Sequence, residues 1–529
     1  MTRVLVSDSL SEAGLRILQS AEGMEVDYRP GLGEAQLAEV IGDYEALVIR
    51  SGSKVTARVL EGASKLRVIG RAGIGVDNVD VAAASKRGIV VMNTPTGNAV
   101  TTAEHALSLM LSLARKIPQA TASMRAGKWE KSKFQGHEVA GKTLGVLGLG
   151  NIGRIVADRA NGLKMRVIAF DPFLSPDRAR ALGVEKVELD DLWKRSDIIT
   201  CHTPLTPETR GIVGDAAIAQ MKKGVLIVNA ARGGIVDEQA LLRGLQSGKV
   251  AGAALDVFEK EPPDPASPLL SRDDVIVTPH LGASTDEAQE RVALEIAEQI
   301  VAYLTTGAIV NAVNAIGLTP DQLETVGPYL RLARRLGHFL AQLDPLAVEE
   351  IEVVATGEAG EVGVGPITRE ALAGYLGCFM DLPVNAVNAP LVAADRGVRV
   401  SEVRRERSRG YASLVSMTVR GASGGLHSAS GTLASSGEPR LATVDGFELD
   451  AWMSGRMLVM WNEDRPGVIG AVGTLLGARS INVSRMQVGL EPTRRQAMSV
   501  WNVDSPVPAE VLEELRKLPH VSAALSVAL

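Results

Sequence analysis

Residues 143–163 read TLGVLGLGNIGRIVADRANGL, a short apolar run that passes through a glycine-rich turn into a helical pattern. The turn has the spacing G-x-G-x-x-G, formed by Gly148, Gly150 and Gly153. Between a strand and a helix, the first glycine permits a tight turn, the second lets a pyrophosphate approach the backbone, and the third lets helix and strand pack closely. The helix N-terminus then stabilises the phosphate charge. This stretch therefore predicts a dinucleotide-binding α/β layer.

A carboxylate stands where such a layer binds ribose. Asp171 follows the next apolar run, Arg166–Phe170, and lies 18 residues after Gly153 (171 − 153). A carboxylate at this point accepts hydrogen bonds from ribose hydroxyls and repels a 2′-phosphate, which favours NAD over NADP. Asp171 alone is more simply a turn residue before Pro172. Next to the glycine motif, the cofactor interpretation is favoured.

Other short apolar runs on both sides of this unit are of the kind that forms buried parallel strands. They are Arg3–Ser7, Ala46–Arg50, Arg67–Arg71, Ile89–Asn93, Asp197–Cys201, Val225–Asn229, Ala251–Leu255 and Val275–Thr278. Helical patterns separate them, one of which has Ser11 as its predicted N-cap. Two longer helical patterns run from Thr101 and from Ser284 to about Thr305. We predict an α/β protein with two doubly wound, Rossmann-like lobes and a cleft between them.

The C-terminal part has a different texture. Residues 318–452 contain scattered apolar runs, a Gly/Ser-rich stretch near Gly421, and the charge cluster Arg404–Arg409, which is most simply a solvated face. From Arg456 a compact β–α–β pattern begins. Its predicted elements are a strand at 456–461, a helix at Gly467–Gly477, strands at 481–489 and Ala497–Val503, and a last helix at Pro508–Leu518.

Composition limits the class of protein. A chain of 529 residues with 46% hydrophobic and 22% charged residues is expected to form three or more globular domains. The net charge of −6 and the lack of a basic face argue against nucleic acid as a partner. No run is apolar for long enough to span a membrane, and the start lacks the pattern of a leader peptide. The two cysteines, Cys201 and Cys378, have no metal-like spacing, so we expect no metal, no disulfide framework and a cytoplasmic location.

Three charged residues follow predicted strand ends, where open α/β sheets bind ligands. Oxidation of a 2-hydroxy acid by hydride transfer needs a base for the hydroxyl proton, a cation for the carboxylate, and a carboxylate that orients the base. His280 suits the base, Arg232 can bind a carboxylate bidentately, and Glu261 would favour the imidazolium. Each of them alone is more simply a loop or surface residue. Together, after a dinucleotide motif, they favour catalysis.

The segments GLGNIG, NAARGGIVDE, DVFEKEP and TPHLGAST together resemble the D-2-hydroxyacid dehydrogenase family, over roughly residues 1–314. The resemblance implies NAD as cofactor and Arg232, Glu261 and His280 as catalytic residues. It also implies interleaved lobes, with the chain returning to the first lobe after the second long helix. The implied cofactor-binding residues are Gly148, Gly150, Asn151, Ile152, Gly153, Asp171, Thr203, Ala230, Arg232, Asp256, His280, Gly282 and Ala283.

Within that family, three segments of the first lobe resemble those that meet the substrate in the branch that oxidises D-3-phosphoglycerate: Arg50–Ser51, Arg71–Gly75 and Thr96–Asn98. Two arginines at strand ends that face a cleft suit a phosphate and a carboxylate. Residues 129–134 resemble a basic segment that approaches the substrate phosphate, often from a neighbouring subunit, through Lys131 or Lys133. The resemblance implies a homo-oligomer (dimer or tetramer) that makes 3-phosphohydroxypyruvate in the first step of L-serine biosynthesis. The implied substrate-binding residues are Arg50, Ser51, Arg71, Gly73, Gly75 and Asn98.

The end of the chain resembles an ACT domain, a βαββαβ module that pairs with its own copy and binds amino acids. The resemblance rests on WNEDRPGV at 461–468 and INV at 481–483, and it implies that Asp464 and Asn482 contact an L-serine effector. Asn462 replaces a histidine that some relatives have. A module that only assembles subunits is an equal alternative. The expected domains are a substrate-binding domain (1–98 and 295–317), an NAD-binding domain (99–294), an α+β intervening domain (318–453) and the ACT domain (454–529).

Alternative functions follow from the same residues. Another enzyme of the family, such as a hydroxypyruvate/glyoxylate reductase or a D-lactate dehydrogenase, would not need the paired arginines of the first lobe or the two C-terminal domains. A non-catalytic NAD-sensing protein, such as a corepressor, would be expected to lack Arg232, Glu261 or His280. A binding protein whose main site is the ACT domain would not need them either.

Overall fold

The fold is that of a computed structural model of the chain, in which residues 1–343, 347–361, 363–380, 383–406, 410–422, 424–491 and 496–529 are described. The first lobe is a parallel five-stranded sheet in the order β2-β1-β3-β4-β5. Ser11 caps the first helix as predicted, because its hydroxyl accepts a hydrogen bond from the Gly14 N–H. The elements are β1 (Thr2–Val6), α1 (Glu12–Ser20), β2 (Met24–Tyr28), α2 (Glu34–Val40), β3 (Ala46–Ile49), α3 (Ala57–Glu61), β4 (Val68–Arg71), α4 (Val81–Lys86) and β5 (Val90–Asn93).

The second lobe is a parallel seven-stranded sheet in the order β12-β11-β10-β9-β6-β7-β8. The strand order reverses between β6 and β9, and a ligand crevice forms at such a switch point. The elements are α5 (Ala99–Arg115), α6 (Ile117–Arg125), β6 (Thr143–Leu147), α7 (Asn151–Gly162), β7 (Arg166–Phe170), α8 (Pro176–Ala181), β8 (Glu185–Lys186), α9 (Leu189–Arg195), β9 (Ile198–Cys201), α10 (Asp215–Gln220), β10 (Val225–Asn229), α11 (Glu238–Gln246), β11 (Val250–Leu255) and β12 (Val275–Val277).

The long helix α12 (Asp286–Thr306) returns the chain to the first lobe. Its Ile296 and Ile300 are buried against Gly70 of β4, where a Cβ would lie 2.9–3.0 Å from them. This helix therefore packs on the sheet of the first lobe. The helix starts at Asp286 rather than at the predicted Ser284, because the Thr285 side chain caps it. The domain limits at 98 and 295 stay predictions, and the second falls inside this helix.

The third unit is a six-stranded mixed sheet in the order β14-β13-β15-β16-β17-β18. The two longest helices of this unit pack on the sheet, and the apolar core between them includes Leu336, Phe339 and Tyr375. Arg404 and Arg405 are exposed at the end of β14, as a solvated face requires, whereas residues 407–409 of the charge cluster lie outside the described residues. The elements are α13 (Pro320–Leu343), β13 (Val348–Gly357), α14 (Glu358–Glu361), α15 (Val364–Leu376), α16 (Ala389–Asp395), β14 (Arg399–Arg405), β15 (Ser413–Gly421), β16 (Leu426–Leu433), β17 (Pro439–Val444) and β18 (Phe447–Trp452).

The last unit has the predicted βαββαβ order and a four-stranded antiparallel sheet, β20-β21-β19-β22. Its apolar core includes Leu458, Val472 and Leu515. Among the described helices, none is long and apolar enough to cross a membrane. The elements are β19 (Arg456–Glu463), α17 (Val468–Ala478), β20 (Val483–Glu491), β21 (Gln496–Val503), α18 (Ala509–Arg516) and β22 (Val521–Ala528).

Candidate active site

A cleft of about 810 Å³ is lined by residues from both α/β lobes. It lies where the carboxyl ends of β4, β9, β10 and the β12 segment meet, as expected for open α/β sheets. Most of the predicted site residues lie on its wall: Arg50, Ser51, Arg71, Gly73, Gly75, Asn98, Asn151, Ile152, Thr203, Ala230, Arg232, Glu261, His280, Gly282 and Ala283. Sequence positions more than 200 residues apart are thus brought to one cavity.

His280 and Glu261 form a hydrogen-bonded pair in this cleft. The imidazole Nδ1 lies 2.8 Å from Glu261 Oε2, and both side chains are partly exposed (49% and 38%). The second carboxylate oxygen of Glu261 accepts the Phe258 N–H at 3.1 Å. Although burial opposes ionisation, the hydrogen bonds from His280 and Phe258 hold the pKa of Glu261 below its ordinary value. The pair is therefore an ionised carboxylate that orients an imidazole.

The turn that carries His280 is held by Asp256, which is fully buried at the end of β11. Its carboxylate accepts hydrogen bonds from Leu281 N–H (2.7 Å), Gly282 N–H (2.8 Å) and the Thr278 hydroxyl (2.5 Å). Burial opposes ionisation, but hydrogen bonds from His105, Thr278 and Leu281 hold the pKa of Asp256 below its ordinary value. Asp256, which the sequence analysis placed among the cofactor-binding residues, thus supports the cleft from behind and is not among its lining residues.

Arg232 follows β10 and reaches across the cleft to the first lobe. Its Nε donates to Asp77 Oδ2 at 2.8 Å, and its Nη1 donates to the Ala231 carbonyl at 2.6 Å. Gly75 makes room for it, since a Cβ there would lie 1.7 Å from Arg232 Nη2. The ion pair between Asp77 and Arg232 joins the two lobes directly.

Arg50 and Arg71 add positive charge to the same cavity. Burial and the nearby charge of Arg232 lower the pKa of Arg71 to about 10, and Arg50 contributes to this effect. Gly73 has φ +136°, and a Cβ there would lie 1.6 Å from Arg71 Nη1, so the arginine can fold back over the loop only beside glycine. Three arginines facing one cleft, one of them largely desolvated, favour an anion with more than one negative charge.

The glycine-rich turn has the geometry that a dinucleotide requires. Gly148 has φ +90°, and a Cβ there would lie 2.8 Å from the Thr203 side chain. A Cβ on Gly153 would lie 2.1 Å from the Gly148 carbonyl, so helix and strand pack closely only with glycine. Among the described residues, a Cβ on Gly150 would meet no atom within 4 Å other than those of its chain neighbours, so there is space beside this backbone position. Asp171 Oδ2 accepts the Leu149 N–H and its Oδ1 accepts the Phe173 N–H, both at 2.9 Å, which fixes this carboxylate beside the turn.

Several buried polar atoms of the cleft are without a hydrogen-bond partner in the described structure. They are Arg71 Nε, Asn98 Oδ1, His202 Nδ1 and Thr203 Oγ1. Buried polar groups are rarely left unpaired, so these atoms are suited to a polar ligand. Burial lowers the pKa of His202 to about 4, which leaves this imidazole neutral. Together with the turn at Gly148, these atoms fit a bound dinucleotide.

The sequence did not single out three residues of this site: Asp8, Asp77 and His105. Asp8 Oδ2 accepts the N–H groups of Arg50 (2.6 Å) and Ser53 (3.0 Å) and so shapes the loop that carries Arg50. Asp8 lies just after β1, beside the switch point of the first sheet, and this position is the signal that could have found it. The other two are single polar residues in a loop and a helix, with no comparable signal.

The two predicted effector residues are not brought together within one chain. Asp464 follows Glu463, which pairs with Gln496, whereas Asn482 precedes Val483, which pairs with Val503. Asp464 therefore lies at the end of the sheet next to Glu463, and Asn482 at the end next to Val503. The eight residues of β19 between these two ends span about 24 Å at the usual rise per residue. A single site that contains both residues needs two copies of the chain.

The basic segment after α6 lies on the surface. Trp129 is 81% exposed, and the Lys133 ammonium donates to Glu130 Oε1 at 2.5 Å. No residue of α6 is buried, although Ile117 and Met124 are apolar. This segment therefore presents an uncovered apolar and basic surface.

Comparisons with known proteins cover the whole chain. Three family models match: the D-isomer specific 2-hydroxyacid dehydrogenase NAD binding domain over residues 107–282, the D-3-phosphoglycerate dehydrogenase intervening domain over 325–445, and the ACT domain over 456–520. D-3-phosphoglycerate dehydrogenase of Archaeoglobus fulgidus is 43% identical, over 100% of both chains, and that of Synechocystis sp. is 42% identical, over 100% of this chain and 95% of the relative. D-lactate dehydrogenase from Aquifex aeolicus, solved with NAD and lactic acid, matches with a TM-score of 0.53 and 28% identity, over 59% of this chain and 98% of its own.

Proposed function

The chain belongs to the D-3-phosphoglycerate dehydrogenase family, and from this premise we propose that it oxidises D-3-phosphoglycerate to 3-phosphohydroxypyruvate with NAD, the first step of L-serine biosynthesis. The observation that carries the proposal is a single cleft in which three arginines face the pair His280–Glu261 beside a dinucleotide turn. The arginines suit a substrate with a phosphate and a carboxylate, and the pair suits proton transfer from its hydroxyl.

In this proposal, His280 is the general base. Its Nδ1 is engaged by Glu261, so Nε2 is the ring nitrogen that can accept the C2 hydroxyl proton. Glu261 keeps the imidazole in this tautomer and stabilises the imidazolium after proton uptake. When bound, NAD supplies the hydride acceptor. After the reaction, His280 holds the proton that the hydroxyl has lost.

Arg232 is assigned to the substrate carboxylate and the developing C2 carbonyl, because its planar fork lines the same cleft as His280. Arg50 and Arg71 are assigned to the phosphate, with Ser51, Gly73, Gly75 and Asn98 as further substrate contacts. The cofactor is assigned to the groove beside the glycine turn, between Asp171 and Thr203. Burial is the main cause of the lowered pKa of Arg71, and a phosphate between Arg50 and Arg71 would offset the further lowering by the charges of Arg232 and Arg50.

The alternative enzymes are less well supported. The solved D-lactate dehydrogenase accounts for 59% of this chain and leaves the two C-terminal domains without a counterpart, whereas the full-length relatives are named D-3-phosphoglycerate dehydrogenase. A non-catalytic NAD sensor would have no need of the hydrogen-bonded pair His280–Glu261. An effector-binding protein would have no need of the three-arginine cleft.

A substrate panel tests the function. We expect NADH formation, followed by absorbance, with D-3-phosphoglycerate and much less with D-lactate, D-glycerate or 2-hydroxyglutarate, because only the first acid has a phosphate for Arg50 and Arg71. The reverse reduction of 3-phosphohydroxypyruvate should be the easier direction. Equal turnover of D-glycerate and its 3-phosphate would contradict the assignment of the phosphate site.

Cofactor choice is assigned to the charge of Asp171. Asp171→Asn keeps an acceptor for the Leu149 N–H but removes the charge that opposes a 2′-phosphate. We expect the ratio of kcat/KM for NAD to that for NADP to fall in Asp171→Asn and in Asp171→Ala. Asp158→Ala, an exposed position on α7, serves as the matched control. An unchanged ratio in both variants would place the selecting residue elsewhere.

We further propose a homo-oligomer, a dimer or tetramer, in which paired ACT domains bind L-serine between Asp464 of one copy and Asn482 of the other. The opposite positions of these residues on the ACT sheet support a site shared by two chains. We expect Asp464→Ala and Asn482→Ala each to abolish serine binding in calorimetry. Hybrid oligomers of the two variants should regain part of it, because each pair then contains one intact site.

Two results would count against this arrangement. If calorimetry detects no binding of serine to the unmodified oligomer at millimolar concentration, assembly of subunits is the remaining function of the ACT domain. Hybrid oligomers that bind no serine would show that Asp464 and Asn482 do not form a shared site across the interface. Sedimentation of the full chain measures the oligomeric state independently.

The exposed segment Ile117–Phe134 supports a second interface between copies. Its apolar side chains lack cover in one chain, and its lysines could approach the phosphate site of the partner. Alanine at Lys131 and Lys133 is a direct probe of that contact. A cytoplasmic location fits the two free thiols, one buried and one exposed, and cell fractionation checks it.

A further inference from the structure

Helix α5 contacts the turn that carries His280 at two positions separated by one helical turn. The Thr102 hydroxyl donates to the Gly282 carbonyl at 3.0 Å. His105 Nε2 lies 3.1 Å from Asp256 Oδ1 and 3.4 Å from Thr278 Oγ1. Residues three positions apart share one face of a helix. One face of α5 therefore holds the turn from behind.

Asp256 transmits this contact to His280. Besides its carboxylate bonds to Leu281 and Gly282, the Asp256 carbonyl accepts the His280 N–H at 2.9 Å. His280 has φ +54°, a backbone conformation that is uncommon for a residue with a Cβ. At this position the His280 N–H donates to the carbonyls of Asp256 (2.9 Å) and Thr278 (3.0 Å), and the Asp256 carboxylate accepts the next two N–H groups of the turn. If these bonds weakened, the turn would relax and His280 Nδ1 would move away from Glu261.

We propose that His105 is a positioning residue for the reaction: its Nε2–H holds the buried Asp256 carboxylate, and Asp256 holds the turn that presents His280 to Glu261. The inference rests on the proposed function, in which His280 is the general base. His105 itself does not line the cleft among the described residues. It acts through Asp256 and not by contact with the substrate.

The charge of Asp256 depends on its neighbours. The titratable groups that face it are His105 from α5, Glu261 from the loop after β11, and His280 from its own turn. Removal of the His105 donor leaves a buried carboxylate with one hydrogen bond fewer, which raises the pKa of Asp256. The turn needs the ionised carboxylate. On acidification, a variant without the His105 donor should therefore lose activity at a higher pH than the unmodified enzyme does.

The test compares His105→Leu, His105→Gln and Ser108→Ala in the full-length protein. Leucine removes the donor, glutamine places an amide N–H near the position of Nε2, and Ser108 is an exposed control on the same helix. We expect kcat of His105→Leu to fall by about 10- to 100-fold. Losses of this size are typical when a residue that only orients a functional side chain is replaced, as with the hydrogen-bond partners of metal-binding histidines. KM for D-3-phosphoglycerate should hold, since the arginines are untouched. The acid limb of its pH profile should move to higher pH. His105→Gln should restore most of kcat.

The outcomes separate the inference from the function on which it rests. An active unmodified enzyme with a His105→Leu variant of unchanged kcat and pH profile overturns the role of His105 alone. An equal loss in the leucine and glutamine variants, with normal melting temperatures, also overturns it, because the hydrogen bond would then be irrelevant. If the leucine variant does not fold, His105→Asn, which is too short to reach Asp256, takes its place. If the unmodified enzyme does not oxidise D-3-phosphoglycerate, the proposed function itself is wrong.

Discussion

Replacement of His280 with alanine is expected to lower kcat by about 10²–10⁴-fold, the usual contribution of a positioned proton-transfer group. The Nδ1 contact with Glu261 leaves one ring nitrogen for the substrate hydroxyl, and alanine removes it. NADH binding, followed by fluorescence, should persist, because the glycine turn and Asp171 are untouched. His137→Ala, an exposed histidine of the same lobe, is the control. The assignment is falsified if folded His280→Ala keeps near-normal turnover at neutral pH.

Glu261→Gln is the companion variant, and its effect has a defined sign. The pKa of Glu261 is held below its ordinary value, so the carboxylate stays ionised throughout the neutral range and favours the imidazolium of His280. The neutral amide no longer favours it, so His280 should keep its basic form at lower pH. The acid limb of kcat/KM for oxidation should therefore move to lower pH. A limb that moves to higher pH would contradict the role of Glu261.

The second large effect is expected from Arg232→Lys, although the charge is kept. A planar fork can bind a carboxylate with two parallel hydrogen bonds, and an ammonium cannot. We expect kcat/KM for D-3-phosphoglycerate to fall by about 10²–10³-fold, comparable to the loss of one donor that stabilises developing charge. Arg243→Lys, an exposed arginine of α11 paired with Asp215, is the matched control. A loss confined to KM for NAD would indicate a cofactor contact and not a substrate contact.

Much of the architecture could be predicted because its signals are local. Buried parallel strands such as Val225–Asn229 are short apolar runs, and the predicted ends agree with the structure within two residues. The turn at Gly148 combines three positions whose spacing has a mechanical reason. The β2 strand was not predicted, because it lies at the sheet edge and its side chains are only partly buried. The mixed sheet of the third unit was not predicted either, since strands such as β14 are largely exposed and lack a simple pattern.

Arg232, Glu261 and His280 could be named as candidates because proton transfer and carboxylate binding favour particular residue types after strand ends, and the structure brings the three to one cleft. Asp77 and His105 could not be found in this way. Asp77 meets Arg232 across 155 positions of sequence, and His105 meets Asp256 across a helix-to-strand contact. Single polar residues of this kind cannot be told from surface residues until the fold shows their partners. Their roles depend on tertiary distance, which no local pattern records.

The ion pair between Asp77 and Arg232 has a consequence for how the enzyme recognises its substrate. The Asp77 carboxylate accepts a hydrogen bond from the Nε edge of the Arg232 guanidinium at 2.8 Å. A substrate that takes this edge of the guanidinium carries out a ligand exchange, and the number of ion pairs at Arg232 stays the same. The substrate carboxylate then gains little affinity from its charge. On this assignment, most of the electrostatic attraction for the substrate comes from its phosphate group. An acid without a phosphate has only its carboxylate, which must compete with Asp77 for Arg232.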